Sequence, residues 1–577
     1  MRSPTPEERA IGRDNFYGAI ASPHLSRREF LLGSAAAGLV SGAGLGAYYF
    51  GYGKSVGDPV RVGVIGTGDE GSVLLGAHNP EYLNVVAIAD IRPYNIHRAF
   101  HGDQSSPNAY LVRPGLMKKY DWKSEDQARK HVKVYDKDYH ELLDDPDVEA
   151  VVIALPLHLH HIVAIEAMKR GKHVLTEKLM AHSVHQCKEM ARVAQETNKY
   201  LATGHQRHYS VLYDNAVAMI REGLLGELHH IRAQWHRGNL PGADSWQPKL
   251  PAEIIKELAS IERRLNDPKT DGFTLGVLQE RQRLYTEMAK DAILGEKDKE
   301  TGKTLAEKYG YVEKTGYGPD GSLTISPLEE LIRWRLFNRT GGGLMAELGS
   351  HQLDAAGIFV SAMAKDGKKA LPLTVSAMGG RQLFPYDRDV DDHVYCMYEF
   401  PTPAYDPQDP KTHDKKLVVT YSSINGNGFG GYGEVVMGTQ GTLILEREQE
   451  VLLYPREGFT RVGVSKKKDS AVLDTTASGG GDSAIAKAAL DRGPVSRGYC
   501  EEMEHWAWCI RNQSAENQPK CHPEVALGDA VIALTTNIAI ERGKKGESNL
   551  IRFDPDWFKI DKDATPEGIA PDIKKYA

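Results

Sequence analysis

Cysteine is sparse in this chain. There are five among 577 residues, Cys187, Cys396, Cys500, Cys509 and Cys521, and none forms a C-x-x-C pair. That excludes a zinc ribbon and a thioredoxin-type redox motif, and leaves a disulfide among Cys500, Cys509 and Cys521 open. Positive charge is not in excess either: 71 Lys+Arg stand against 78 Asp+Glu, a net charge of −7. Without a broad basic field, no nucleic-acid partner is expected. The histidines are scattered, with no H-E-x-x-H pair and no compact acid–histidine set, so no metal is expected. Internal repeats and low-complexity tracts are also missing. What remains is the composition of a globular chain, 41% hydrophobic and 26% charged, long enough for two or more domains with full-sized cores.

The most informative stretch runs from Val60 to Asp90, VRVGVIGTGDEGSVLLGAHNPEYLNVVAIAD. It reads as strand, glycine turn, helix and strand. Gly66, Gly68 and Gly71 form a G-x-G-x-x-G. The first permits a tight turn, the second lets backbone approach a pyrophosphate, and the third lets helix pack on strand. The helix N-terminus then faces the phosphates with its positive dipole end. Asp90 closes the second strand, where a carboxylate accepts hydrogen bonds from a ribose diol. This context makes a dinucleotide site the expectation; a glycine-rich loop in another α/β domain is the plain alternative. Asp90 favours NAD, whereas Arg92, two residues on, would favour NADP by binding a 2′-phosphate.

Residues 1–57 carry different information. Arg27 and Arg28 sit in Ser-Arg-Arg-Glu-Phe-Leu, after a polar arm. An uncharged stretch with seven glycines follows, from Phe30 to Gly53. This is the layout of a twin-arginine export signal, and the expected location is periplasmic or exported. The route suits a protein that leaves the cytoplasm folded, with its cofactor tightly bound. No A-x-A site precedes Lys54, which leaves retention as a membrane anchor open. The alternative is a coincidental arginine pair before an ordinary apolar helix.

After Asp90, residues 94–131 read as a loop and a helix. Strands are expected near His131–Tyr135, Val148–Leu155, His173–Thr176 and Leu201–Gly204, with helices between them. This alternation indicates a doubly wound sheet over 58–205. The remainder, 206–577, reads as a second domain. It has a charged, largely helical insertion at about 244–335, then strands with turn signals such as Asn425-Gly426, and two closing helices. The fold class expected is α/β: an N-terminal Rossmann sheet and a C-terminal α/β domain with a large, mostly antiparallel open sheet.

The order of these features resembles the glucose–fructose oxidoreductase / inositol dehydrogenase (Gfo/Idh/MocA) family over most of residues 60–550. ALPLHLHHIVAIEAMKRGKHVLTEKLM resembles its strand–Pro–x–x–x–His–helix–strand–Glu-Lys-Pro run. GGGLMAELGSHQLDAAGIF resembles its glycine-led helix with an acid four residues before a histidine. The resemblance implies NAD(P)-dependent hydride transfer at a hydroxyl carbon of a sugar, polyol or related carbohydrate, and contacts in a homo-oligomer through the second sheet. It implies a catalytic set of Lys178, Glu347 and His351, and cofactor contacts from Pro156, His160, Glu177 and Lys178. Two positions depart from the family pattern: Leu179 replaces proline and Glu347 replaces aspartate. The family also holds glycoside hydrolases that use tightly bound NAD by oxidation and elimination, and a non-catalytic carbohydrate-binding member is a third reading.

The chemistry asked of these residues is simple. As hydride leaves a carbinol carbon, its hydroxyl proton must go to a base, and a histidine titrates in the right range. A lysine stabilises the developing alkoxide. Glu347, His351 and Asp354, at i, i+4 and i+7, would share one face of an α-helix, so that Glu347 orients the imidazole. A solvated i,i+4 pair is the plainer reading. Arg207, Trp235, His236 and Arg237 are weaker candidates for substrate contact, against a surface ion pair for the first and core aromatic plus exposed charge for the others.

Overall fold

The computed structural model describes residues 3–22, 43–53, 55–364, 368–467, 470–474 and 497–576. Six strands form the first sheet: β1 (Val60–Ile65), β2 (Leu83–Ala89), β3 (Lys133–Tyr135), β4 (Ala150–Ile153), β5 (His173–Glu177) and β6 (Leu201–Gly204). Their order is β3-β2-β1-β4-β5-β6, and every neighbouring pair is parallel. All residues of β4 and β5 are buried, because helices cover both faces. The strand order reverses between β1 and β4, and a crevice opens at the carboxyl ends there. Residues 94–131, expected as a loop and one helix, hold four short helices instead: Pro93–His101, Pro107–Val112, Gly115–Lys119 and Glu125–Ala128. The second and fourth start on serine caps, Ser106 and Ser124, a local signal that their polar composition hides.

The second domain begins with β7 (Leu228–His236). The insertion follows: helices Pro251–Leu265 and Gly272–Ala289 pack as a pair on Ile254, Ile261, Leu278 and Tyr285. The insertion is not all helical, since it also carries the hairpin β8 (Lys314–Tyr317) and β9 (Leu323–Ile325). Its other apolar cluster, Leu294, Ala306, Tyr311, Leu331 and Ile332, packs against Ile91 just past β2. The insertion therefore lies against the first domain, at the end of β2. The large sheet continues with β10 (Thr374–Gly380), β11 (His393–Pro401), β12 (Lys416–Ile424), β13 (Tyr432–Gly438), β14 (Gly441–Glu446) and β15 (Glu450–Pro455). The small hairpin β16 (Gly463–Lys467) and β17 (Ser470–Asp474) follows, and β18 (Leu550–Arg552) closes the sheet edge. Sheet order is β15-β14-β13-β7-β12-β11-β10-β18; only the β7–β12 pair is parallel.

Both ends of the chain are built into this body. The expected polar arm contains a helix, Pro6–Ile20, opened by a Thr5–Glu8 capping box and docked on β15. Phe16 and Ile20 are buried there, Arg9 pairs with Glu446 and Glu450, and the Asn15 amide donates to the Leu453 carbonyl at 3.0 Å. Arg27 and Arg28 lie outside the described residues. The later half of the apolar stretch forms the helix Ala43–Phe50, with Ala47, Tyr49 and Phe50 buried against protein. It packs against the helix Tyr499–Arg511. Tyr499–Arg511 packs back on β1 and β2, and the last twenty residues run along the helix Val184–Thr197. There the buried Lys188 ammonium donates to the carbonyls of Asp556, Lys562 and Ala564. The later chain thus returns to the first sheet rather than staying in the second domain. All five cysteines are free.

Candidate active site

The glycine turn sits in the crevice between β1 and β4. Gly66 adopts φ +89°, and a Cβ there would lie 2.4 Å from the Ala154 carbonyl oxygen. At Gly71 a Cβ would lie 2.1 Å from the Gly66 carbonyl oxygen. Both glycines are therefore needed by the fold itself. Gly68 differs: a Cβ would meet nothing closer than the Asn95 amide nitrogen at 3.8 Å. The space above Gly68 is open, at the first turn of the helix Asp69–Ala77, whose N-cap has no side-chain partner. An open cradle of backbone N–H groups at a helix N-terminus fits a dinucleotide diphosphate.

Asp90 is half-buried. Its carboxylate accepts from the Thr67 N–H at 2.8 Å, the Arg92 N–H at 2.9 Å and the Asn95 amide at 3.0 Å, so it braces the glycine turn. Burial raises its pKa, and these donors oppose the rise. Arg92 does not point to that position as a free cation: its Nε donates to the buried Asp291 of the insertion at 2.9 Å. His160 is also not part of the crevice wall. It is 1% exposed, with Nδ1 2.9 Å from the Leu179 carbonyl and Nε2 2.8 Å from the Leu155 carbonyl, so it ties together the turns after β4 and β5. Pro156 caps the short turn Leu157–Leu159 beside it.

Lys178 follows directly on β5. The Lys178–Leu179 peptide is cis, and the Leu179 side chain is buried in the core. The Lys178 ammonium crosses to the second domain and donates to the Glu347 carbonyl oxygen at 2.7 Å. Glu177 is buried. Desolvation, with Glu70 close by, pushes its carboxyl up to about 8, and the Lys178 N–H donates to it at 3.1 Å. Lys178, Glu347 and His351 do come together, but the role expected for Glu347 is contradicted. Met345–Gly349 is a π-helical turn ahead of the α-helix Ser350–Ser361, and the Glu347 carboxylate makes no hydrogen bond to the His351 ring. The Glu347 carboxylate accepts from Arg335 Nε at 2.8 Å instead. Burial works against its ionisation, yet Arg335, Lys178 and Arg237 hold it down to about 2. Asp354 accepts from His208 at 2.8 Å and Lys369 at 3.2 Å. Among the described residues no hydrogen bond reaches the His351 imidazole. Burial first, then Lys178, Arg207 and His205, push its pKa well below 6.5, so the ring is neutral and can accept a proton.

The substrate candidates separate. Trp235 on β7 faces the histidine, with ring centroids 5.6 Å apart; it stacks on Tyr432 at 4.4 Å and carries the Arg237 guanidinium over its ring. Arg237 also lies in the field of Glu347. His236 is turned to the Phe429 carbonyl and the Ser422 hydroxyl, at 3.0 and 3.1 Å. Arg207 is neither a surface ion pair nor a substrate ligand. It is 1% exposed, bonds Glu448 at 2.7 Å and donates to the His351 carbonyl at 2.6 Å, holding the start of the helix Ser350–Ser361. Donor atoms of His205, Cys521 and Asp529 lie within 4.8 Å of one another. The cation at the neighbouring carboxylates is the Lys369 ammonium, 2.5 Å from Asp529.

Sequence reading missed several residues of the crevice. Arg335, at the end of the insertion, reaches Glu347 and lies in the field of Asp69 and Glu70 on the glycine turn. Arg98 pairs with Asp69 at 2.7 Å. The half-buried Glu70 and the buried Glu502 are acids near Glu177, both with raised pKa because desolvation disfavours their charge. The only sequence signal was the pair of acids inside G-T-G-D-E-G, where a diphosphate site has no use for negative charge.

Residues 60–205 match the family model described as GFO_IDH_MocA, "Oxidoreductase family, NAD-binding Rossmann fold". Over 183 residues the chain is 28% identical to a "Glycosyl hydrolase family 109 protein" of Shewanella pealeana, covering 31% of this chain and 35% of that one. Over 121 residues it is 36% identical to a 1-carboxy-3-chloro-3,4-dihydroxycyclohexa-1,5-diene dehydrogenase of Comamonas testosteroni, covering 21% and 29%. It therefore spans about a third of the length of these curated relatives. An NAD binding oxidoreductase from Klebsiella pneumoniae superposes over 86% of this chain and 99% of its own, at TM-score 0.47 and 17% identity. With its glycine turn at the switch point of a β3-β2-β1-β4-β5-β6 sheet, the segment 60–205 is similar to the NAD-binding Rossmann domain of the Gfo/Idh/MocA oxidoreductases.

Proposed function

We propose that this protein is an NAD(H)-dependent oxidoreductase acting on a hydroxyl carbon of a sugar, polyol or related carbohydrate. The observation that carries the reading is the meeting of Lys178, from the end of β5, with the His351 helix of the second domain, beside the open cradle at Gly68. The nicotinamide, when bound, supplies the hydride acceptor or donor. The chain supplies the rest. Gly66–Gly71 and Asp90 hold the diphosphate and ribose. The neutral imidazole of His351 takes the hydroxyl proton. Lys178 has three N–H donors, one of which goes to the Glu347 carbonyl, leaving others for the substrate oxygen as it becomes alkoxide. Trp235 and Arg237 line the second-domain wall with an aromatic face and a cation suited to a sugar.

A second reading is redox-neutral cleavage of a glycoside: oxidation of a ring hydroxyl, elimination, and return of the cofactor to its starting state. The insertion packed at the end of β2 favours it, because a cofactor walled in at its adenosine end is retained between turnovers. Export by the twin-arginine route belongs to the same proposal, since a retained cofactor must be loaded before transport. The deciding experiment is native mass spectrometry of the purified full chain for carried dinucleotide and subunit number, followed by incubation with a sugar and aryl-glycoside panel. Net reduction of added NAD+ supports the dehydrogenase; release of aglycone without net reduction supports the glycosidase. A chain that carries and binds no dinucleotide refutes both.

A further inference from the structure

The insertion does more than cover the end of β2. Its short helical segment Lys290–Gly295 brings Asp291 into the first domain, where the side chain is 3% exposed. One carboxylate oxygen accepts from Arg92 Nε at 2.9 Å; the other accepts from the Tyr94 N–H at 3.0 Å, at the first turn of the helix Pro93–His101. Arg92 is two residues past Asp90, and the Arg92 N–H is itself held by Asp90 at 2.9 Å. In a Rossmann domain the acid at the end of the second strand meets the ribose diol, and an arginine nearby is what accepts a 2′-phosphate. Here that arginine is present, and a buried acid from the insertion holds it at Nε. Asp90 and Asp291 flank Arg92, so the local formal charge is −1 where a 2′-phosphate would need a positive one.

We propose that Asp291 is the residue that sets cofactor choice: by holding Arg92 it denies a 2′-phosphate its cation and makes the site select NAD over NADP. This rests on the dinucleotide reading of the glycine turn. Asp291 touches no cofactor in this account; it acts through Arg92. The insertion then has a defined task, which is to convert a position that would otherwise suit NADP into one that does not.

The test is equilibrium binding, by calorimetry, of NAD+ and NADP+ to the full chain and to three variants. Asp291→Asn keeps an acceptor for the Tyr94 N–H and removes the charge that holds Arg92. It is expected to raise NADP+ affinity relative to NAD+ by about ten- to a hundredfold, the effect of one charged hydrogen-bonded contact. Asp291→Thr, which also keeps an acceptor, serves if the asparagine variant does not fold. In Asp291→Asn/Arg92→Ala the gain should vanish, which a merely structural role for Asp291 would not produce. An unchanged NADP+/NAD+ ratio in a folded Asp291 variant overturns the role of Asp291 and leaves the site intact. Failure of the unmodified chain to bind either dinucleotide overturns the site itself, and this inference with it.

Discussion

Replacing Gly68 by valine separates the needs of the fold from the needs of the ligand. The Gly68 backbone has φ −65°, which any L-residue adopts, and its added Cβ would meet only the Asn95 amide at 3.8 Å. Valine is a poorer N-cap than glycine, a cost of about 0.5–1 kcal/mol, while loss of glycine's freedom in the unfolded chain returns about 0.4–1 kcal/mol. Stability should therefore change little. The diphosphate, however, has to approach that same backbone. Losing two charge-assisted N–H contacts at about 1.5 kcal/mol each weakens binding by at least about a hundredfold. Gly71→Ala is the control of opposite sign. Its Cβ falls 2.1 Å from the Gly66 carbonyl oxygen, so backbone must move, at a cost of about 1–3 kcal/mol. Thermal unfolding and calorimetry with NAD+ read both effects. A folded Gly68→Val chain with undiminished NAD+ affinity would falsify the placement of the diphosphate.

Three further outcomes are expected. His351→Ala and Lys178→Ala should each lower turnover by about 10²–10⁴ while NAD+ still binds; because His351 is held neutral well below 6.5, the acid limb of kcat/KM should lie below that pH, and a limb at or above it would show that another group is the base. Arg207→Met should leave Glu434 without its cation and Glu448 with Arg497 alone, at about 3 kcal/mol, seen as a lower Tm; an unchanged Tm would mean that Arg207 is not the strut described. Changing Arg27 and Arg28 to lysine should keep the protein in the cytoplasm in a fractionation assay, and unchanged export would remove the twin-arginine reading.

The first domain was legible because its signals are local. Glycines at fixed offsets, an acid closing a strand and a continuous apolar run each report on a few neighbouring residues, and together they imply one sheet order. The site was legible only in part. Lys178 and His351 were reached through the family resemblance. The partner of Glu347 was misread because Arg335 lies outside the helix, at the end of the insertion, where i,i+4 spacing carries no sign of it. Arg92 was read as a free cation because its partner, Asp291, lies far along the chain in a charged segment without pattern. Arg207 looked like a surface residue for the same reason: Glu448 and the His351 carbonyl come from distant elements, and only the folded chain makes it an interior strut. Buried charge is invisible to periodicity, since a charged residue scores as solvent-facing wherever it sits.

The proposed catalytic pair is assembled across two domains, and this limits how far they can move. Lys178 belongs to the end of β5, His351 to a helix laid on the second sheet, and the contact between the two sides is the Lys178 ammonium on the Glu347 carbonyl. Arg335 lies between Glu347 and the acids of the glycine turn. A shift of about 1 Å in such a geometry is enough to cost about 10²-fold in rate. The chain meets that demand by lacing the domains together. Tyr499–Arg511 leaves the second domain to pack on β1 and β2, where Arg511 holds Glu149 at 2.8 Å. The last residues run back along Val184–Thr197, where Lys188 spends all three of its N–H groups on their carbonyls. With Asp291 pinning the insertion at the far end of the crevice, the first domain is held at three separate places.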